Sequence, residues 1–188
     1  MSLANDFKLC PMCGSESIRS TGNRKWECPS CGFDLYNNVA AAVGIVLADS
    51  QGNILFERRA KEPRSGFLAF PGGFVDPDES LEHAAVRECA EETGITPSSV
   101  SYLCSFPNTY EYRNIVYKTC DSFFTAGLPS GIETIPALIA VLHGQQSEVL
   151  GFTSVHVDSE RNIEEIPLAF ESARKTLECW LKHQRSIK

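Results

Sequence analysis

Apolar runs along the chain predict several buried strands. Residues 39–48 form an almost uninterrupted apolar run, which is typical of a buried strand. The polar residues 49–53 predict a turn, and the apolar residues 54–56 begin a second strand, so the two runs together predict a hairpin. Residues 101–126 predict further strands with a break at Pro107.

Apolar residues recur at helical spacing in three other segments. Residues 79–93 and 167–184 each predict a helix, and the second has a clear apolar face. Residues 133–143 have the same spacing, although a buried strand is an alternative for them. Residues 149–157 predict one more strand. Because strands and helices are mixed without a regular βαβ alternation, the pattern predicts an α+β fold.

The composition is that of an ordinary folded domain. Hydrophobic residues make up 43% of the 188 residues and charged residues 22%, which excludes a disordered chain. No apolar run approaches the roughly 20 residues that span a membrane, and residues 1–9 lack a signal-peptide pattern. The net charge of −7 argues against nucleic acid or an anionic membrane as a partner. Eight cysteines without a secretory signal predict metal ligands and reduced thiols rather than disulfides, and therefore a cytoplasmic protein.

Four of the eight cysteines are spaced as metal ligands. Cys10, Cys13, Cys28 and Cys31 follow the pattern Cys-x2-Cys-x14-Cys-x2-Cys, and each pair lies in a Cys-Pro-x-Cys-Gly turn. Two such turns can point four thiolates at one ion, which is the preferred structural environment of zinc. Two disulfides or four free thiols are the alternative.

This cysteine arrangement resembles a zinc ribbon. It predicts a module at residues 1–37 that is folded by its metal, followed by a second domain at residues 38–188. Within residues 1–37, four basic side chains balance four acidic ones. Because a neutral module binds phosphate backbones poorly, we expect a structural or interface role for the ribbon and no nucleic-acid partner.

The helix predicted at residues 79–93 has clear start and stop signals. Asp76, which is followed by a proline, can cap its first turn, and Ser80 is an alternative cap. Gly94 fits the position just past the last turn. The sequence does not choose between the two caps.

Three glutamates share one face of this helix. Glu88, Glu91 and Glu92 occupy positions i, i+3 and i+4 near its carboxyl end. Their mutual repulsion and the helix dipole each cost roughly a few tenths of a kcal/mol. Either solvation by water or a bound hard cation must offset this cost. Mg²⁺ and Mn²⁺ prefer carboxylate oxygens as ligands.

The glutamates belong to a longer motif. Residues 73–95 match Gly-x5-Glu-x7-Arg-Glu-U-x-Glu-Glu-x-Gly-U, in which U is a bulky apolar residue. Ile95 fills the second U position, and Cys89 fills the first with a small hydrophobic side chain. The matching fixed residues are Gly73, Glu79, Arg87, Glu88, Glu91, Glu92 and Gly94. Agreement over these 23 positions identifies a Nudix box, so the chain resembles the Nudix hydrolase family.

The resemblance implies a fold and a metal-dependent hydrolase. Nudix domains are α/β/α sandwiches around a mixed sheet, which agrees with the α+β pattern over residues 38–188. By this likeness Glu88, Glu91 and Glu92 bind the catalytic Mg²⁺ or Mn²⁺ ions, and the carbonyl of Gly73 adds a ligand.

The likeness assigns supporting roles as well. Arg87 would orient the glutamates, and Glu79 would brace Arg87 from the preceding loop. Glu148 precedes a predicted strand where many members carry an additional metal-binding glutamate; an ordinary exposed glutamate is the alternative. The general base is left open between a box glutamate and a later acid.

A zinc ribbon followed by a Nudix box resembles the arrangement in NADH pyrophosphatases. Those enzymes carry Ser-Gln-Pro-Trp-Pro-Phe-Pro a little after the box, and only Ser105 and Pro107 of that stretch remain here. The resemblance implies hydrolysis of the diphosphate in ADP-ribose or an NADH-like compound, with release of AMP. Candidate substrate contacts are Arg58, Arg59, Phe106 and Tyr110.

Other functions remain as alternatives. The substrate could instead be an oxidised nucleoside triphosphate or a nucleotide-capped RNA. A non-catalytic nucleotide-sensing regulator with a protein or DNA partner is a further alternative, which the intact box disfavours. The resemblance also implies a small-molecule nucleotide as the binding partner and a homodimeric assembly.

Overall fold

The computed structural model describes residues 5–22, 24–144 and 147–187. Within these ranges the strands are β1 Arg19–Thr21, β2 Lys25–Glu27, β3 Asp34–Tyr36, β4 Ala40–Leu47, β5 Asn53–Arg59, β6 Leu68–Ala69, β7 Ser101–Tyr112, β8 Ile115–Ala126 and β9 Val149–His156. The helices are α1 Leu81–Thr93, α2 Ile135–Ile139, α3 Glu160–Glu165 and α4 Glu171–Ile187. None of these helices is long and apolar enough to cross a membrane.

The described strands form three sheets of three strands each. β1, β2 and β3 make an antiparallel sheet near the amino terminus. The second sheet has the order β4-β8-β7, in which β4 is parallel to β8 and β7 is antiparallel to it. The third has the order β6-β5-β9 and is antiparallel throughout. The second sheet is therefore mixed, as the resemblance implies.

Two hydrophobic clusters lie on opposite sides of the second and third sheets. One joins the sheets to α3 and α4, and the other joins them to α1 and α2. β5 serves both, because Ile54 and Phe56 pack in the first cluster while Leu55 packs in the second. The result is an α/β/α sandwich, which confirms the expected α+β fold.

β4 and β5 diverge from one shared end. Ala48 and Ile54 form an isolated bridge beside the turn that joins the strands. From there β4 pairs with β8, whereas β5 pairs with β6 and β9. The predicted hairpin is therefore wrong, since the two strands lie in different sheets. Both strands are buried, and their apolar pattern carries no information about which neighbour each one pairs with. A cavity opens in the gap between them.

The predicted break at Pro107 is also wrong. β7 continues through this proline, which lies opposite Cys120 of β8. Because β7 is the outer strand of its sheet, the missing N–H of proline can face away from the ladder. The chain instead reverses at Arg113, which has a φ of 54°.

The predicted helical segments contain helices, but some of these helices begin or end at other residues than predicted. The segment 133–143 contains α2, so its strand alternative is wrong. α4 begins four residues later than the predicted segment 167–184, and α3 was not predicted. For α1 the structure selects Ser80 as the cap, since its hydroxyl accepts a hydrogen bond from the N–H of His83 at 3.2 Å.

The amino-terminal sheet has a small core of its own. Trp26 is buried there beside Cys10 and Cys28. The side chain of Asn5 connects this part to β8, because it donates to the carbonyl of Val116 at 2.9 Å and accepts from its N–H at 2.8 Å. The indole N–H of Trp26 donates to the Asn5 carbonyl at 3.3 Å.

Candidate functional site

A cavity of about 620 Å³ lies in the gap between β4 and β5. Carboxyl groups from β5, α1 and the segment before β9 line one part of it, namely Glu57, Glu88, Glu92 and Glu148. Aromatic and neutral polar side chains from β7, β8 and the start of α4 line another part. An anionic wall and an aromatic region in one cavity suit a ligand that has both a charged and a planar portion.

Two glycines bring the backbone close to the glutamates of α1. A Cβ atom on Gly73 would lie 2.7 Å from the carboxylate of Glu88, and one on Gly72 would lie 2.1 Å from the carbonyl oxygen of Val43. The N–H of Gly72 donates to Oε2 of Glu92 at 2.6 Å. The carbonyl of Gly73 accepts from the N–H of Val43 at 2.9 Å, which leaves one lone pair for a further interaction.

Arg87 is bound by carboxylates on both sides. Its Nε and one terminal nitrogen donate to the two oxygens of Glu79 at 3.0 and 2.9 Å. The other terminal nitrogen donates to Glu88 at 2.7 Å and to Glu91 at 3.4 Å. The Phe74 carbonyl accepts a further bond at 3.1 Å. Hydrogen bonds from Arg87 lower the pKa of Glu79, and those from Glu79 raise the pKa of Arg87.

The environments of the glutamates differ along the helix. Glu92 is buried, and burial is the main reason that its pKa rises to about 7. Burial also raises the pKa of the half-buried Glu88, against the effect of Arg87. The Glu91 side chain is 51% exposed and lies outside the cavity lining. Glu148 lines the cavity and forms an ion pair with Lys61 at 2.5 Å.

Glu57 was missed by the sequence analysis. It lies on β5 in phase with the buried Leu55, is 2% exposed and lines the cavity. Burial and the charge of Glu92 raise its pKa to about 10, and it shares a hydrogen bond with Glu92. The signal that could have found it is an acidic residue on the buried face of an otherwise apolar strand.

A buried polar cluster, also missed, lies on the far strands. The carboxylate of Asp121 accepts hydrogen bonds from Thr119 and Ser172 at 2.6 Å and from the Asn108 amide at 2.9 Å. All four residues line the cavity. Since the amide of Asn108 is fixed by Asp121, its carbonyl oxygen remains available as an acceptor.

The candidate substrate contacts divide into two groups. Tyr110 lines the cavity and packs edge-to-face on Phe74 at 5.4 Å between ring centroids. Arg59 also lines it, with its guanidinium 5.2 Å from the centre of the Phe170 ring. Phe106 instead packs against the hydrophobic core, and the exposed Arg58 donates to the Gly66 carbonyl at 2.7 Å. These last two lie outside the cavity lining.

The glutamates of the cavity fit a hard cation by their chemistry. They are oxygen donors of one charge in one cavity; Lys61 pairs with Glu148 and Arg87 with Glu88, and Arg59 also lines the cavity. Mg²⁺ and Mn²⁺ favour such donors. A cation would compensate the repulsion that helps raise the pKa values of Glu88 and Glu92.

The four amino-terminal cysteines form a second candidate metal site. Their sulfur atoms all lie within 4.8 Å of one another, and two pairs are separated by 3.7 and 3.8 Å. A tetrahedral ion with Zn–S bonds of about 2.3 Å requires sulfur separations of roughly 3.8 Å. This arrangement fits zinc, and elsewhere in the described ranges no ligand group is gathered as tightly.

Both cysteine turns are built by the same backbone bonds. The N–H of Gly14 donates to the Cys10 carbonyl, and the N–H of Gly32 donates to the Cys28 carbonyl, each at 2.8 Å. Both glycines have φ near 75°, a conformation that favours glycine. Although burial opposes it, hydrogen bonds from neighbouring N–H groups and a serine lower the pKa of Cys28 to about 6. A thiolate is the form that binds zinc.

Comparison with known proteins gives a family match. The family model described as the NUDIX domain matches residues 39–157. The chain is 34% identical over 103 residues to the NAD-capped RNA hydrolase NudC of Deinococcus radiodurans. It is 44% identical over 72 residues to the ADP-ribose pyrophosphatase of Methanocaldococcus jannaschii.

The shared region is only part of each protein. The two alignments cover 53% and 38% of this chain, and 36% and 41% of the respective relatives. The chain thus spans less than half the length of either relative. Among solved structures, the NUDIX domain of Shewanella oneidensis NrtR, crystallised with ADP ribose, has a TM-score of 0.59 and 24% identity, covering 78% of this chain and 89% of that one. This likeness supports the fold.

Proposed function

The chain belongs to the NUDIX domain family, and from this premise we propose that it hydrolyses the diphosphate linkage of a nucleoside diphosphate derivative. ADP-ribose and NADH-like dinucleotides are the proposed substrates, and AMP is one product. The names of the two relatives described above favour these substrates, since both refer to an adenine-containing diphosphate.

One observation carries the proposal. Glu88 and Glu92 meet the Gly72–Gly73 backbone on the wall of a cavity that also has an aromatic region. Nudix hydrolases typically use a divalent metal, and these carboxylates are its proposed ligands together with Glu91 and Glu148. Such a cation would neutralise the diphosphate and activate water.

The remaining roles belong to the chain itself. Water adds to one phosphorus, the bridging P–O bond breaks, and two monophosphates leave. Arg87 holds Glu88 and Glu91 in place, and Glu79 fixes Arg87 through its two oxygens. We therefore propose Arg87 and Glu79 as positioning residues rather than as groups that touch the phosphate.

The aromatic region is the proposed site for the nucleobase. Tyr110 and Phe170 are 5.8 Å apart between ring centroids and both line the cavity. Stacking on an aromatic ring contributes about 1–3 kcal/mol per base. The free carbonyl oxygen of Asn108 can accept a hydrogen bond from an exocyclic amino group, which adenine carries. Arg59 beside Phe170 is a candidate contact for phosphate or ribose.

The amino-terminal module is proposed to be a structural zinc ribbon at residues 1–37. Its cysteine geometry and the balanced charge support this role. All eight cysteines are described and free of disulfides, which supports a reducing, cytoplasmic setting. A homodimer remains part of the proposal, and light scattering of the purified protein tests it.

A substrate panel tests the proposed function. The zinc-loaded full chain is incubated with Mg²⁺ or Mn²⁺ and ADP-ribose, NADH, an oxidised nucleoside triphosphate or an NAD-capped RNA, and the products are identified by mass. Release of AMP from ADP-ribose or NADH, lost in Glu92→Gln, is the expected result. Equal turnover by wild type and Glu92→Gln contradicts it.

The panel also separates the alternatives. Turnover confined to the triphosphate or to the capped RNA would assign the site to another substrate class. Tight binding of ADP-ribose without any product would indicate a nucleotide sensor instead of an enzyme.

A further inference from the structure

Glu57 occupies a position where an apolar side chain would be expected. It follows the fully buried residues Ile54, Leu55 and Phe56 on β5, and its side chain points to the same face as Leu55. That face packs against α1. The carboxyl group nevertheless reaches the cavity, where Glu92 is its hydrogen-bonding neighbour.

The hydrogen bonds of Glu57 are incomplete. When Glu57 and Glu92 are both ionised, Oε2 of Glu57 is fully buried and has no donor among the described residues. Glu92, in contrast, receives the N–H of Gly72. A buried carboxylate without a donor is strongly destabilising, and an apolar residue of similar volume would be more stable there. Packing alone therefore does not explain a glutamate at this position.

A cation satisfies both carboxyl groups at once. Glu57 and Glu92 come from two rigid elements, β5 and α1, and both line the cavity. Glu88 and Glu148 line it as well, so the cavity supplies oxygen donors from several directions. A hard divalent cation collects six or more such oxygens, and Glu57 contributes to this cavity a carboxyl group whose Oε2 has no hydrogen-bond partner among the described residues.

We propose that Glu57 is a further oxygen ligand of the divalent cation that Glu92 holds, an inference that rests on the proposed metal-dependent function. Glu57 thereby extends the ligand set from the helix of the Nudix box to the neighbouring strand β5, whose Leu55 face packs against that helix. A cation bound by both elements also fixes the distance between β5 and α1.

Metal binding is measured directly on the zinc-loaded full chain. Free Mn²⁺ is followed by electron paramagnetic resonance during titration of wild type, Glu57→Gln and Asp121→Asn. The control Asp121→Asn changes another buried carboxyl of the same cavity that is already satisfied by three donors. We expect Glu57→Gln to weaken Mn²⁺ binding by about 10- to 100-fold and the control to change it by less than about twofold.

Thermal unfolding without Mn²⁺ distinguishes a ligand from a structural residue. Glutamine keeps the shape of the side chain and can donate to Glu92, so Glu57→Gln is expected to match or exceed the wild-type Tm. A lower Tm combined with unchanged Mn²⁺ affinity would overturn the proposal in favour of a structural role. If this variant does not fold, anomalous scattering from wild-type crystals containing Mn²⁺ decides whether Glu57 is in direct contact with the ion.

The same titration separates failure of this inference from failure of the proposed function. Loss of Mn²⁺ binding in Glu92→Gln but not in Glu57→Gln would refute the role of Glu57 and leave the metal site intact. If wild type does not bind Mn²⁺, or if Glu92→Gln binds it equally well, the proposed function itself fails.

Discussion

Arg87 and Glu79 form a two-point ion pair, with Nε and a terminal nitrogen of the arginine 3.0 and 2.9 Å from the two glutamate oxygens. The pair fixes the plane of the guanidinium group. Its remaining terminal nitrogen donates a hydrogen bond to Glu88. The box arginine is therefore oriented from the loop before α1, eight residues earlier in the chain.

Breaking this pair should reduce turnover more than substrate affinity. We expect Glu79→Gln to lower kcat by about 10- to 100-fold, with KM nearly unchanged, because Arg87 loses one of its two acceptors on this side chain and the negative charge, while the cavity keeps its shape. Arg58→Lys, an exposed change outside the cavity lining, is the matched control. Steady-state kinetics with saturating Mg²⁺ provide the measurement, and a kcat within twofold of wild type would contradict the positioning role.

The two adjacent glycines should respond differently to alanine. The Cβ of Gly72→Ala would lie 2.1 Å from the backbone oxygen of Val43, so β4 must move, and we expect a loss of about 3 kcal/mol or more. In Gly73→Ala the close group is the carboxylate end of Glu88 at 2.7 Å, which can rotate away. This variant should keep its Tm and lose activity. Denaturant unfolding and kinetics on both variants check the contrast, which equal stability losses would contradict.

The cavity carboxyls predict an unusual pH dependence of stability. The pKa of Glu92 is raised in the fold to about 7, so the folded protein retains a proton that the unfolded chain has lost. The contribution of Glu92 to the free energy of unfolding, measured without divalent cations, should therefore be largest below about pH 4.5. It should fall as the pH rises to about 7. The raised pKa of Glu57 extends the fall toward pH 10.

Divalent cations should reverse this trend. Mg²⁺ competes with the retained protons, so the rise in Tm that it produces should grow between pH 5 and about pH 8. Scanning calorimetry at several pH values, with and without Mg²⁺, provides the measurement. Glu92→Gln should show a flatter profile, and a Mg²⁺ effect that is equal at all pH values would argue against the carboxyl site.

The two tryptophans report separately on the two parts of the chain. Trp26 is buried beside Cys10 and Cys28, whereas Trp180 is buried on α4 in the main core. Removing zinc with a chelator and a thiol reagent should shift the emission of Trp26 to longer wavelength. The ribbon has too small a core to fold without its metal. The emission of Trp180 should not change, because this residue lies in the main core. Trp180→Phe and Trp26→Phe isolate the two signals, and a shift in both would show that the two parts unfold together.

Tyr110 and Phe106 allow a test of the nucleobase region. Tyr110→Ala removes a ring from the cavity and should raise KM by roughly 5- to 150-fold, corresponding to a stacking energy of about 1–3 kcal/mol. Phe106→Ala removes a partly buried ring that packs against the core and should instead lower stability by about 1–3 kcal/mol, with KM unchanged. Kinetics and denaturant unfolding on both variants give the answer. An unchanged KM in Tyr110→Ala would remove this residue from the site.

How much the sequence predicts depends on whether a feature is local. The Nudix box and the cysteine turns are short, and their residues act through fixed spacing on one helix or one turn. The pairing of β4 with β8 joins Ala40 to Thr119, across a long stretch of chain, and no local pattern encodes it. For the same reason the hairpin interpretation was wrong.

The missed cavity residues follow the same principle. Glu57 and Asp121 are single acidic residues within strands, and each becomes informative only when its neighbours from other elements are known. Phe106 and Tyr110 are both aromatic residues of β7, yet Phe106 packs against the core and Tyr110 lines the cavity. Strand alternation could not separate the two residues, because they share a face and differ only in which other elements pack over each position.

Pro107 also affects how the molecule can associate. A twelve-residue outer strand such as β7 would otherwise present a long row of backbone groups to which a strand of another chain could add. A proline in the middle of that row removes one donor, so an intermolecular sheet extended across β7 would be interrupted there. Strand addition along the whole of β7 is thereby disfavoured, both between two copies of the protein and in edge-to-edge aggregation.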